Sequence, residues 1–236
     1  MTTAVILAGG RGTRLAPYST VLPKPLMPIG EKPILEIVIR QLCRHGFTDI
    51  TLAVGYMAEL LMAYFGDGQR FGVRLQYSRE DQPLGTAGPM ALVGDLAERF
   101  LVMNGDVLTG LDYRRIAAAH EMSGAIGTIA TYPRQVNIDL GVIEHDERGR
   151  LTDYIEKPTL NYLVSMGIYM FDRRVLSFIK PGERLDLPDL VKRLVSAGET
   201  MNCYPHEGYW LDIGRPDDYQ RAIAEFAERE SELLPD

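Results

Sequence analysis

A mostly parallel α/β sheet with helices on both faces is the fold this chain predicts. Three observations carry it. Short β-branched runs alternate with amphipathic segments, the spacing suits repeated strand–helix units, and the first strand breaks into a glycine-rich turn, "LAGGRGTRL". Strands joined through helices at such spacing lie parallel, with the crossovers covering the sheet.

In chain order, residues 5–8 form the first strand. Residues 33–45 form a helix, with Pro33 in its first turn and Gly46 as its stop. Strands at 50–54, 73–77, 100–103 and 125–131 then alternate with helices at 58–65, 87–92 and 113–121. Beyond Thr131 the pattern changes. Residues 141–145, 151–156 and 163–171 read as strands with short links, residues 185–196 and 216–230 as helices, and the acidic end 228–236 is expected to fray. No linker or repeat interrupts the chain. Residues 1–236 are therefore expected to form one domain of two halves, about 1–131 and 132–236.

With 46% hydrophobic and 24% charged residues, the 236-residue chain has an ordinary globular composition. Its net charge of −7 argues against nucleic acid as a partner, so an anionic ligand would be held by local basic residues. Cys43 and Cys203 have no ligand or C-x-x-C spacing and are expected to be buried free thiols. No basic and apolar leader precedes Thr2, and no apolar run reaches the ~18 residues of a membrane span. A cytoplasmic location without a membrane partner is the expectation.

The glycine turn carries the first functional signal. Gly9, Gly10 and Gly12 cost conformational entropy and bury nothing, which suggests that a ligand approaches the backbone. The nearby Arg11, Arg14 and Lys24 suggest that it is an anion. The string G-x-x-x-x-G-K-S/T is absent, and Leu15 stands where a dinucleotide fingerprint needs its third glycine. What remains is a loop whose N–H groups and arginines hold a polyphosphate, or a plain turn after an edge strand. Open α/β sheets bind ligands beyond the carboxyl ends of strands, where residues 9–14 and Asn104-Gly105-Asp106 both fall.

The ordered blocks "LAGGRGTRLAPYSTVLPKPL", "PLGTAGP", "VMNGDV", "GVIEHD", "IEKP", "GIYMF" and "YWLDIGRPDDY" resemble those of the sugar-1-phosphate nucleotidylyltransferases. The resemblance runs from Val5 to about Phe226 and is nearest the branch making GDP-mannose and GDP-heptose. It implies the nucleotide-diphospho-sugar transferase fold: a Rossmann-like sheet binding nucleotide, with a small sugar-binding lobe. It also implies the reaction of an NTP with a sugar 1-phosphate to give NDP-sugar and pyrophosphate. No β-helix domain is expected after Phe226, and family habit suggests a homodimer.

Residue by residue, the resemblance implies that Leu7, Ala8, Gly9, Gly10, Gly12 and Thr13 hold the nucleotide. Arg14 would grip the β- and γ-phosphates and Lys24 the α-phosphate, with Arg11 at a variable position. Asp106 and Asp212 match a metal pair suited to Mg²⁺, completed by phosphate oxygens and water. Asn104, Gly105, Gly141, Glu156, Lys157 and Ser165 match sugar-phosphate contacts. Two departures stand out: Leu140 where many members carry an aromatic, and Ser165 where many carry Asn. Glu80, Gly85 and Thr86 fall where the family reads the base. A carboxylate at Glu80 can accept from guanine N1–H and N2–H₂ side by side, which favours GTP. Gln82, reached if the register slips by two residues, keeps uridylyl, thymidylyl or cytidylyl transfer to a glucose-type phosphate open. A rival of another class, a non-catalytic nucleotide-sugar-binding subunit, is opposed by the intact set Arg14, Lys24, Asp106 and Asp212.

Overall fold

A computed structural model describes residues 3–234. In chain order the strands are β1 (Thr3–Leu7), β2 (Pro28–Ile29), β3 (Lys32–Pro33), β4 (Asp49–Val54), β5 (Arg74–Arg79), β6 (Arg99–Asn104), β7 (Val107–Thr109), β8 (Gly127–Asn137), β9 (Val142–His145), β10 (Leu151–Ile155), β11 (Thr159–Asp172), β12 (Met201–Pro205) and β13 (Trp210–Asp212). The helices are α1 (Ile34–Arg44), α2 (Ala58–Phe65), α3 (Tyr113–Ser123), α4 (Leu187–Ser196) and α5 (Pro216–Leu233).

Seven strands make the main sheet, in the order β12-β8-β11-β6-β1-β4-β5. All its pairings are parallel except those of β11, which runs antiparallel to both β6 and β8. The central strand explains the arrangement. Ala4 and Ile6 enter one core with Val38 and Leu42 of α1, Phe65 of α2 and Ile116 of α3. Val5 enters another core, on the opposite face, with Val102, Phe171 and Leu190 and Leu194 of α4. A strand buried on both faces needs the continuous apolar run seen at β1.

In a third core, α5 packs Tyr219, Ala222 and Phe226 against Leu15, Ile29, Ile34 and Ile213. Leu15, the residue that breaks the dinucleotide fingerprint, is fully buried there and anchors the foot of the glycine turn. The Gln41 amide donates to the Thr109 and Leu233 carbonyls, each at 2.9 Å, and ties the end of α5 to β7.

Strands β8 and β11 run beyond the sheet as a two-stranded ribbon, Asn137 opposite Thr159, while β9 and β10 form a separate hairpin. Because β8 passes straight through Thr131, the two halves share strands rather than a linker.

Several expectations need correction. The helix expected at 87–92 is a short 3-10 turn, Gly88–Leu92. Its first N–H groups are taken by another segment: Ala87 and Gly88 donate to the Leu185 carbonyl at 2.8 and 3.1 Å. Cys203 is exposed, not buried, because β12 is an edge strand, and Cys43 is half-buried; both thiols are free. The acidic end does not fray as expected over its described part. Helix α5 continues to Leu233, with Arg229 paired to Glu232 at 2.8 Å, while residues 235–236 lie outside the described residues. Among the described residues no helix is long and apolar enough to cross a membrane.

Candidate active site

Strand order reverses at β1, with β4 and β5 on one side and β6 on the other. At such a switch point the connecting loops diverge and leave a crevice. A cavity of about 450 Å³ opens there. The turn after β1 lines it with residues 7–12 and Arg14, and Lys24, Glu80, Gly85, Thr86, Asn104, Gly105 and Asp106 complete the wall. Thr13 opens a single 3-10 turn beside the cavity without lining it.

The turn is folded back on itself. Gly12 adopts a left-handed φ of 61°, and the Ser19 hydroxyl donates to its carbonyl at 2.7 Å. A Cβ on Gly9 would stand 2.8 Å from Glu80 Oε1, while Glu80 Oε2 accepts the Leu84 N–H at 2.9 Å. One carboxylate therefore bridges the glycine turn and the PLGTAGP loop. Arg11 lies over the Tyr56 ring, 5.9 Å from its centroid. Arg14 is exposed and makes no ion pair or side-chain hydrogen bond among the described residues. It also lines a second cavity, of about 450 Å³, with Asp212, Arg134 and Arg215.

Two very short strands bring the aspartates together. β13 pairs antiparallel with β7, Asp212 opposite Val107, and the Ile213 N–H donates to the Asp106 carbonyl at 3.1 Å. The buried Lys24 ammonium pairs with Asp106 Oδ2, while Asp106 Oδ1 is buried without a partner. Burial, then the charge of Asp106, holds the Asp212 carboxyl above the usual carboxylate range; Lys24 and Arg14 oppose the shift, and Asp218 adds to it. An orphaned carboxylate oxygen beside a carboxylate reluctant to ionise is an arrangement that a cation relieves. The residues fit Mg²⁺ as two oxygen ligands, with the remainder left to ligand oxygens and water. Among the described residues there is no group of three or more His, Cys, Asp or Glu that could hold a metal by itself.

The expected sugar contacts divide. Asn104 and Gly105 line the cavity, but Gly141, Glu156, Lys157 and Ser165 do not. Glu156 and Lys157 are exposed between β10 and β11, with Lys157 at φ 45°. Gly141 lies directly beneath the Tyr154 hydroxyl. Ser165 sits at a bulge in β11, where its hydroxyl shares a 2.9 Å hydrogen bond with Tyr169 and accepts the Gly167 N–H at 3.2 Å. Trp210 fastens this bulge by donating to the Met166 carbonyl at 3.1 Å and packing on Tyr132. The bulge presses Gly167 against the Asn104 amide, where a Cβ would stand only 2.6 Å from Nδ2.

Thr86 lines the cavity, yet its N–H and hydroxyl both turn to Asp186. Sequence reasoning missed Asp186, Ser19, Arg134 and Arg215. Their roles depend on contacts across the fold, and no local pattern announces them.

Residues 3–229 match the nucleotidyl transferase family, and the chain belongs to it. It is 36% identical over 247 residues to a UTP–glucose-1-phosphate uridylyltransferase of Synechocystis sp., covering 96% of this chain and 64% of that protein. It is 32% identical over 223 residues to the mannose-1-phosphate guanylyltransferase catalytic subunit beta of Dictyostelium discoideum, covering 92% and 62%. The chain thus spans less than two thirds of the length of these curated relatives. Among solved structures it is similar to HddC from Yersinia pseudotuberculosis, with a TM-score of 0.76 and 25% identity over 96% of this chain and all of that one. The fold is the nucleotide-diphospho-sugar transferase fold that the motif blocks imply.

Proposed function

We propose that this chain transfers a nucleotidyl group from an NTP, GTP by preference, to a mannose- or heptose-type sugar 1-phosphate, releasing pyrophosphate. The observation that carries the proposal is the convergence of the glycine turn, Arg14, Lys24 and Asp106 on the cavity at the switch point, with Asp212 beside it. In the reaction a sugar-phosphate oxygen attacks the α-phosphorus in line, the new P–O bond forms, and the α–β bridge breaks to release pyrophosphate. Several negative charges are crowded together, so positioning and neutralisation supply most of the rate.

The backbone N–H groups of the turn would hold the triphosphate. Arg14 would draw off charge from the leaving β- and γ-phosphates through its planar fork of donors. Lys24 would offset charge at the α-phosphorus. Asp106 and Asp212 would hold Mg²⁺, whose contribution when bound is to neutralise phosphate charge. Glu156 and Lys157, on the exposed lobe, would meet the sugar and its phosphate.

The choice of GTP rests on the Glu80 carboxylate in the cavity wall. A second reading, uridylyl transfer, is favoured by the 36% identity to the Synechocystis protein. Pyrophosphate release from each common NTP, paired with mannose, glucose and heptose 1-phosphates, separates the two. The highest kcat/KM is expected with GTP. Preference for UTP or dTTP would overturn the guanine reading, and release from no pair would favour a non-catalytic binder.

A further inference from the structure

From Leu84 to Gly88, the segment that leads into the 3-10 turn, four of the five backbone N–H groups are tied down. Leu84 donates to Glu80 Oε2 at 2.9 Å, and Thr86 donates to Asp186 Oδ1 at 3.0 Å. Ala87 and Gly88 share the Leu185 carbonyl, and the Leu185 N–H returns a bond to the Leu84 carbonyl at 2.9 Å. Within this segment the Gly85 peptide stands apart: neither its N–H nor its carbonyl has a partner among the described residues, a condition its N–H shares with those of Asp81 and Gln82 further up the loop. Gly85 lines the cavity at φ 78°. Its Cα is pressed so close to the Leu185–Asp186 segment that a Cβ would stand 2.6 Å from the Leu185 carbonyl and 2.7 Å from Asp186 Oδ1.

The bonds at Asp186 are exchanged in an informative way. Asp186 is the N-cap residue of α4, yet its carboxylate does not cap its own helix. It accepts instead from the Thr86 N–H and, at 3.3 Å, from the Thr86 hydroxyl. The Thr86 hydroxyl in turn accepts the Leu187 N–H at 2.7 Å, the first free donor of α4. A local cap would satisfy the helix equally well. The exchange adds a link between the helix and the cavity wall, made by a charged acceptor in a half-buried place, where such bonds are stronger.

We infer that Asp186 is a positioning residue for the nucleotide: through Thr86 it holds the Gly85 peptide at the cavity wall, and so sets nucleotide affinity and base selectivity. The inference rests on the nucleotide reading of this cavity. An N–H and a carbonyl presented side by side suit the edge of a nucleobase, and a loop that drifts presents them poorly.

The test compares Asp186→Ala, Asp186→Asn, Thr86→Val and Thr86→Ser with the wild type in steady-state kinetics and thermal melting. Loss of a charged hydrogen bond should raise KM for the preferred NTP by about tenfold or more in Asp186→Ala and Thr86→Val. The preference between the best and second-best NTP should narrow, while KM for the sugar 1-phosphate stays within about twofold. Asp186→Asn, which keeps an acceptor oxygen, should fall between, and Thr86→Ser should recover most of the affinity. Unchanged NTP selectivity in a wild type that turns NTP over would overturn the inference and leave the transferase reading standing. A parallel rise of both KM values together with a lowered Tm would reduce Asp186 to a structural role. A wild type that neither binds nor turns over any NTP would remove the transferase reading and this inference with it.

Discussion

Ile6, Val102 and Met103, beneath the cavity, are fully buried, whereas Leu140, Tyr154 and Leu163 of the lobe are 74%, 57% and 67% exposed. The first group sits in a sheet covered on both faces. The second sits in a two-stranded ribbon, a hairpin and the link between them, and isolated two-stranded units hold their shape weakly in water. The contrast separates two tasks. On the proposed reading, the groups that would meet the phosphates hang from the sheet, where small displacements would be costly. The groups that would meet the sugar hang from a thin lobe that can vary without disturbing the core. Substitutions on the sheet side should therefore alter kcat, stability or nucleotide binding, and those on the lobe should alter the affinity for the sugar 1-phosphate alone.

The largest effect is expected at Arg14. Arg14→Ala should lower kcat by about 10²–10³, the range found when a donor aimed at developing charge is removed. Its Tm should stay at the wild-type value, since the side chain is exposed and makes no ion pair or side-chain hydrogen bond among the described residues. A variant keeping more than about half the wild-type rate would break the contrast from the sheet side.

Lys157→Ala probes the lobe. If Lys157 holds the sugar phosphate, KM for the sugar 1-phosphate should rise by about tenfold to a hundredfold, as for a charged hydrogen bond, with KM for the NTP nearly constant. Equal changes for the two substrates would place Lys157 elsewhere.

Adjacent glycines offer a sharper test within the turn. Gly9→Ala would drive a Cβ to 2.8 Å from Glu80 Oε1 and 3.2 Å from the Gly55 nitrogen, so it should destabilise by about 1–3 kcal/mol in urea unfolding. A Cβ on Gly10 meets nothing within 4 Å. Gly10→Ala should leave unfolding unchanged and weaken only nucleotide binding. Equal destabilisation by both would show that the turn is packed for stability alone.

The smallest effect lies away from both regions. Asp112 caps α3 by accepting the Arg114 N–H at 3.0 Å, and its hydrogen bonds with Arg114 hold the carboxyl at about 2 against partial burial. A depressed carboxylate contributes stability that is fully present above its unfolded value of 3.8 and lost as pH falls toward about 2. Asp112→Ala should cost about 1 kcal/mol near neutral pH, mostly through the cap because the ion pair is largely solvent-screened. The gap from wild type should close on acidification.

The same division governs what the sequence could reveal. β1, β4, β6, α1 and α4 were legible because two-sided burial writes continuous or periodic apolar runs. The ribbon was cut short at both ends: β8 continues to Asn137 and β11 begins at Thr159, through Pro133, Arg134, Gln135 and Asn161. Exposed strands carry polar residues and lose the alternation that marks a half-buried one. The three-residue strands β7 and β13 were too short to register, although they carry the approach of Asp106 to Asp212. Asp106 was marked by its place beyond a strand end, but its pairing with Asp212 came only from motif blocks that resemble a family. Asp186 had no such block, and its contact with Thr86 crosses the fold. Thr86 does line the cavity, but its N–H and hydroxyl are taken by Asp186.

Whether the two aspartates act jointly is open to direct measurement. Calorimetric titration of a non-hydrolysable GTP analogue with Mg²⁺, into the wild type and into Asp106→Asn, Asp212→Asn and the double variant, asks whether the two serve one site. One analogue should bind per chain. Each single substitution should weaken binding, and the double variant should lose much less than the sum, because residues acting as a unit are not additive. Strictly additive losses, or wild-type binding that is indifferent to Mg²⁺, would contradict a shared metal and phosphate site at the β7–β13 ladder.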